Sequence, residues 1–147
     1  MNVSADDLGR VVRTIWSTQL GLELEDGDSE ALERGLADRE TITVRVKFSG
    51  GFSGALVQRC SRQASILAAS CAFATDNQDL SSNQIRDVLA ELANVTAGNL
   101  KTILPGHPEF SLPKTVDADE DTGSLVAEAG FELQGEPLIV RLTQQQA

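Results

Sequence analysis

Three stretches of this chain put an apolar side chain at every second position. They are Ile42, Val44, Val46 and Phe48; Leu125, Ala127, Ala129, Phe131 and Leu133; and Leu138, Val140 and Leu142. A period of two belongs to strands that turn one face to a core and the other to water. Between them lies a stretch with a different period. At 100° per residue, Ile85, Leu89, Leu92, Thr96, Leu100 and Ile103 fall on one side, which predicts a helix buried along that stripe. A chain with half-buried strands and a long one-faced helix must stack a sheet against helices.

The remaining signals set the order of elements. Residues 5–20 predict a helix through Leu8, Val11, Val12, Ile15 and Leu20, with a capping box at Ser4 and Asp7 and a stop at Gly21. Residues 23–40 are acidic and weakly patterned, and read as a connection with one helical turn. Gly50, Gly51 and Gly54 turn the chain after the strand at 41–48, and Ala55 to Arg59 return as a second strand. Residues 62–74 predict a helix with Ala64, Leu67, Ala68 and Cys71 on the face towards the sheet. Ser81 with Gln84 caps the long helix, about 82–103, and Leu104-Pro105-Gly106 ends it. Phe110 to Val116 reads as a short edge strand, since Pro113 is out of place in a sheet centre. The order α-β-β-α-α-β-β-β, with hairpins beside helices, predicts an α+β fold with a mostly antiparallel sheet. A single domain over 1–147, with its core about 5–143, is expected.

Composition narrows the function. The net charge is −10 and aromatic residues make up 4%, against both nucleic-acid binding and base stacking. The longest apolar run, Ile66 to Ala74, is far short of the roughly 20 residues that span a bilayer, so no membrane association is expected. The N-terminal segment is acidic where a signal peptide is basic, and there are only two cysteines, Cys60 and Cys71. A reduced cytoplasmic protein is the expectation, with both cysteines as small buried side chains. The charge is uneven: between 41 and 75 stand Arg45, Lys47, Arg59 and Arg62 and no acid. Arg45 and Lys47 are better read as lying on a solvated strand face, paired with acids on neighbouring strands, than as part of a docking surface for an acidic partner.

The side of the long helix opposite its apolar stripe carries Asp87, Glu91, Asn94 and Gly98 in one row. Glu91 and Asn94 are three apart, so their Cβ atoms lie about 5–6 Å from each other. The acid can hold a cation while the amide donates and accepts hydrogen bonds at once. Gly98 leaves a gap in the row. A polar helix face alone is ordinarily only a solvated one.

The stretch Asp87-Val-Leu-Ala-Glu91-Leu-Ala-Asn94 resembles the signature of the CheC/CheX/FliY chemotaxis phosphatases: Asp or Ser, three residues, Glu, two residues, Asn, and a downstream Pro. Pro113 stands as that proline. Gly50 to Gly54, Ser111-Leu112-Pro113, the closing Phe131 to Val140 and the element order are also similar to CheX-like domains. The resemblance implies a phosphatase acting on the aspartyl phosphate of a CheY-like response regulator. Asn94 would orient the attacking water, Glu91 would pair with the regulator's lysine, and Asp87 and Gly98 would contact the partner. It implies no cofactor of this chain's own, the magnesium ion belonging to the regulator. The single Glu-x-x-Asn copy implies a CheX-like homodimer that pairs through its sheet. The alternative is a non-catalytic module that docks a regulator or a flagellar switch component.

Other candidates are weaker. Asp117, Asp119, Asp121 and Glu128 fall at calcium-loop positions, but Gly123 comes one place late and Glu128 lies in a strand pattern, so a solvated hairpin loop is the better reading. His107 reads as a surface or loop-packing residue, Trp16 as core or interface, and Asn99 as the maker of a buried cap or loop hydrogen bond.

Overall fold

A computed structural model describes residues 3–117 and 123–145. The elements run α1 (Ala5–Leu20), β1 (Glu25–Asp26), α2 (Ser29–Ala37), β2 (Thr41–Ser49), β3 (Gly54–Ser61), α3 (Arg62–Phe73), α4 (Ser82–Lys101), β4 (Glu109–Phe110), β5 (Lys114–Val116), β6 (Ser124–Leu133) and β7 (Glu136–Gln144). The fold is α+β. Every strand pairing is antiparallel, in the order β1-β6-β7-β3-β2-β4, and β5 joins β4 along the outer side of β2.

Helices α1, α3 and α4 cover one face of the sheet. Val44, Val46, Phe48, Leu56, Phe131, Leu138, Val140 and Leu142 meet Leu8, Trp16, Ala68, Leu89 and Leu100 there. Each alternating strand thus places its apolar parity under the helices. Trp16 is fully enclosed and belongs to this core. Both capping boxes form. Ser4 accepts from the Asp7 amide and Asp7 from the Ser4 amide, while Ser81 and Gln84 do the same at α4. Gly21 takes the left-handed conformation that closes α1.

Several expectations need correction. The acidic connection at 23–40 holds a two-residue edge strand and a helix of 9 residues, α2. Asp28 caps α2 by accepting from the Ala31 amide. Leu32 and Leu36 pack on Ile139, on the opposite face of the sheet from the main core. Two apolar residues one turn apart suffice, because ion pairs complete the attachment: Glu33 bonds both Arg59 and Arg141, and Arg39 bonds Glu136. Cys71 is exposed, because the buried face of α3 turns towards Ser65 and Ala69, whereas Cys60 is buried and its thiol pKa is pushed up by the loss of solvent. Leu125 is 59% exposed. A bulge between Leu125 and Ala127 reverses the parity, so Leu125 pairs with Thr143 on the outer face. Ile103 is 48% exposed, because tighter bonds from Thr102 to Asn99 and Ile103 to Leu100 end the helix, and Leu104 takes the core place.

Candidate functional site

Helix α4 is fixed to the sheet at three points. Near its start, Gln58 of β3 lies on the core face, opposite Val44 and Val140, and its side-chain amide donates to the Leu89 carbonyl over 3.2 Å. Towards its end, Phe110 of β4 lies under Gly98, where a Cβ would stand 3.8 Å from the ring. That ring packs edge-on against Phe48, its partner across the strands, with Lys101 above it. Beyond the helix, Gly106 sits back to back with Gly51 of the β2–β3 turn. A Cβ on Gly51 would lie 2.4 Å from the Gly106 Cα, so neither position has room for a side chain.

These points give the direction of the helix. Leu89 stands at the level of Val44 and Gly98 at the level of Phe48. Nine helical residues advance about 13.5 Å and four strand residues about 13 Å. Thus α4 runs alongside β2 in the same sense, and Val46 is level with the turn that holds Asn94.

At that level the sheet edge is broken. Ser111 pairs with Lys47 and Lys114 with Arg45, so Leu112 and Pro113 together oppose Val46. The expected edge strand is therefore two short pieces, β4 and β5, separated by a bulge at the proline. By this reckoning Pro113 falls at the level of Asn94 along β2, a relation that their separation in sequence conceals.

The row itself points outward. Asp87 and Glu91 are exposed, and Asn94 and Gly98 are half-buried. The buried side of the helix carries Ile85, Val88, Leu89, Leu92, Ala93, Thr96, Ala97 and Leu100. Among the described residues, the side chains of Asp87, Glu91 and Asn94 form no hydrogen bond or ion pair. Their donors and acceptors face solvent. The gap at Gly98 is backed by Phe110 of the same chain. Asn99 is exposed, and its amide donates to the Val95 carbonyl one turn back, in place of the expected buried bond.

Sequence reasoning missed Gln58 and Phe110 as supports. A polar residue at an apolar parity was the available signal for Gln58. Of the other candidates, His107 is exposed in the turn after α4, with φ of 47°. Of the calcium-loop acids, Asp117 is exposed, Glu128 is engaged by Arg141, and Asp119 and Asp121 lie outside the described residues. Among the described residues no group of three or more His, Cys, Asp or Glu could hold a metal ion, and no helix is long and apolar enough to cross a membrane. A cleft of about 280 Å³ is lined by Arg39, Glu40, Ser61, Arg62, Gln63 and Glu136, none of them on α4.

The molecule is an antiparallel sheet with a capped helix laid along it, showing an acid and an amide outward. Solved structures share this fold. A chemotaxis protein CheX from Vibrio vulnificus superposes with a TM-score of 0.73 at 16% identity, over 94% of this chain and 93% of that one. The CheX-CheY-BeF3-Mg+2 complex from Borrelia burgdorferi contains a chain that superposes at 0.70 and 15% identity, over 99% and 100%. A CheC-like superfamily protein from Shewanella sp. PV-4 gives 0.74 at 13% identity, over 99% and 100%. No curated protein matches the sequence significantly. The family model described as chemotaxis phosphatase CheX matches residues 42–131, from β2 into β6. The chain belongs to the CheX family.

Proposed function

We propose that this chain hydrolyses the aspartyl phosphate of a CheY-like response regulator, with the α4 row as its working surface. The observation that carries this is the unengaged, outward-facing Glu91 and Asn94 on a helix anchored at both ends, inside the region that the CheX model matches. The complex of a CheX with CheY among the similar structures supports the choice of partner.

An amide is not a base near neutral pH, so Asn94 does not take a proton from water. Its carbonyl accepts from the water and its NH2 donates, which fixes the water in line with the phosphorus–oxygen bond. The water oxygen bonds to phosphorus as the bond to the aspartyl oxygen breaks, releasing inorganic phosphate and the regulator's carboxylate. The gain comes from orientation. Glu91 pairs with the regulator's lysine and sets the register of the two proteins. Asp87 and Gly98 extend the contact. The divalent ion is the regulator's. The whole chain acts as one domain, and two copies form a homodimer.

Asn94→Ala tests this directly. Phosphate release from a phosphorylated regulator should fall by roughly 10²-fold, the size of effect seen when one preorganised polar group is removed. The variant should keep the wild-type circular dichroism spectrum and its affinity for the regulator. Release at the wild-type rate would leave a docking module in place of an enzyme.

A further inference from the structure

We propose that Leu112 is a seating and specificity residue for the response regulator, inserting into an apolar recess beside that protein's phosphorylated aspartate. This inference rests on the docking surface proposed above. Leu112 is 85% exposed, the most exposed of the large apolar side chains among the described residues. It stands on the bulge level with Asn94, so it borders the same surface as Glu91 and Asn94.

Its presentation is built rather than incidental. The Ser111 hydroxyl accepts from the Lys47 amide over 3.0 Å and donates to the Leu112 carbonyl over 3.1 Å. The Ser111 amide donates in turn to the Lys47 carbonyl. Pro113 fixes the next φ and has no amide to offer. The backbone carrying Leu112 is therefore held from both sides while the side chain touches little of its own chain. A side chain presented on fixed backbone loses little freedom on binding, which favours affinity. An apolar contact beside a charged row also divides the work. The charges set orientation, and the apolar recess sorts partners by shape.

The test uses full-length protein and a CheY-like regulator from the same genome. Binding is titrated with beryllium fluoride in place of the phosphoryl group, and turnover is measured with the phosphorylated regulator. Leu112→Asp should raise Kd and KM about tenfold, within the range of a side chain that anchors an interface. It should leave kcat within about twofold, and Leu112→Met should restore most of the affinity. Wild-type Kd and KM in Leu112→Asp would overturn the proposal. So would conversion of a dimer to a monomer by that change, which would assign Leu112 to a contact between copies. Because binding is read separately from turnover, a wild type that binds but does not hydrolyse defeats the catalytic reading alone. A wild type that binds no regulator in either state defeats both.

Discussion

Gln58 is a polar side chain on a face whose neighbours are Val44 and Val140, and it earns its place through one bond to the Leu89 carbonyl. Truncation to Ala removes both the bond and packed volume, with an expected loss of about 2–3 kcal/mol. Urea denaturation should show a lower midpoint. An unchanged midpoint would mean that the bond does not hold α4. At the surface, the Asp7 carboxyl is held below its usual pKa by the Ser4 amide, then by the Ser4 hydroxyl, with Arg10 adding attraction. A depressed pKa stabilises the fold above the unfolded value, and that contribution disappears as pH falls through the folded value. Asp7→Asn should therefore melt below wild type at pH 7, with the gap narrowing as acid protonates the carboxylate below its ordinary range. A gap that persists in acid would exclude the charge as its source. The row of Asp87, Glu91 and Asn94 was legible because its geometry is local, three and four residues apart on one helix. Ser111 and Leu112 were not, since their place follows from pairing with a strand more than sixty residues earlier.

Among the elements, α4 was the most readable. Its cap and stripe lie in its own sequence, and only its last turn departed from the pattern, leaving Ile103 outside. Helix α2 was hidden by its brevity and its acids, because part of its attachment is ionic, through Glu33, and so is invisible to apolar periodicity. Leu32→Ala should cost about 2–3 kcal/mol, since that side chain is buried in the small cluster with Leu36 and Ile139. Melting temperature reports it, and a change within error would make α2 a detachable cover. The turn after α4 is more stringent. Gly106 has φ of 70° and abuts Gly51, so Gly106→Ala meets backbone on both counts. An expected loss of about 2–3 kcal/mol should appear as a lower midpoint in denaturant. A neutral result would show that the two turns separate without cost.

Over the whole molecule, the α+β class, the antiparallel sheet and the side on which the helices lie were all legible from strand parity. The second, smaller core on the outer face was not, because only Leu32, Leu36 and Ile139 form it. The net charge of −10 gives the proposed docking row an acidic background. If Glu91 and Asp87 steer a basic site on the regulator, salt should weaken the encounter. KM should rise between low and physiological ionic strength with kcat constant, since exposed charges are screened beyond about 8–10 Å there. A KM independent of salt would place the binding energy elsewhere. Sedimentation should give twice the chain mass for the proposed homodimer, and a monomer at working concentration would remove it. The enclosed Trp16 has one more use. It is the sole indole in a chain without tyrosine, so its emission should redden when the core opens and stay silent when a visitor settles on the far side of α4. Intrinsic fluorescence can therefore tell a variant that has come apart from one that has merely lost its guest.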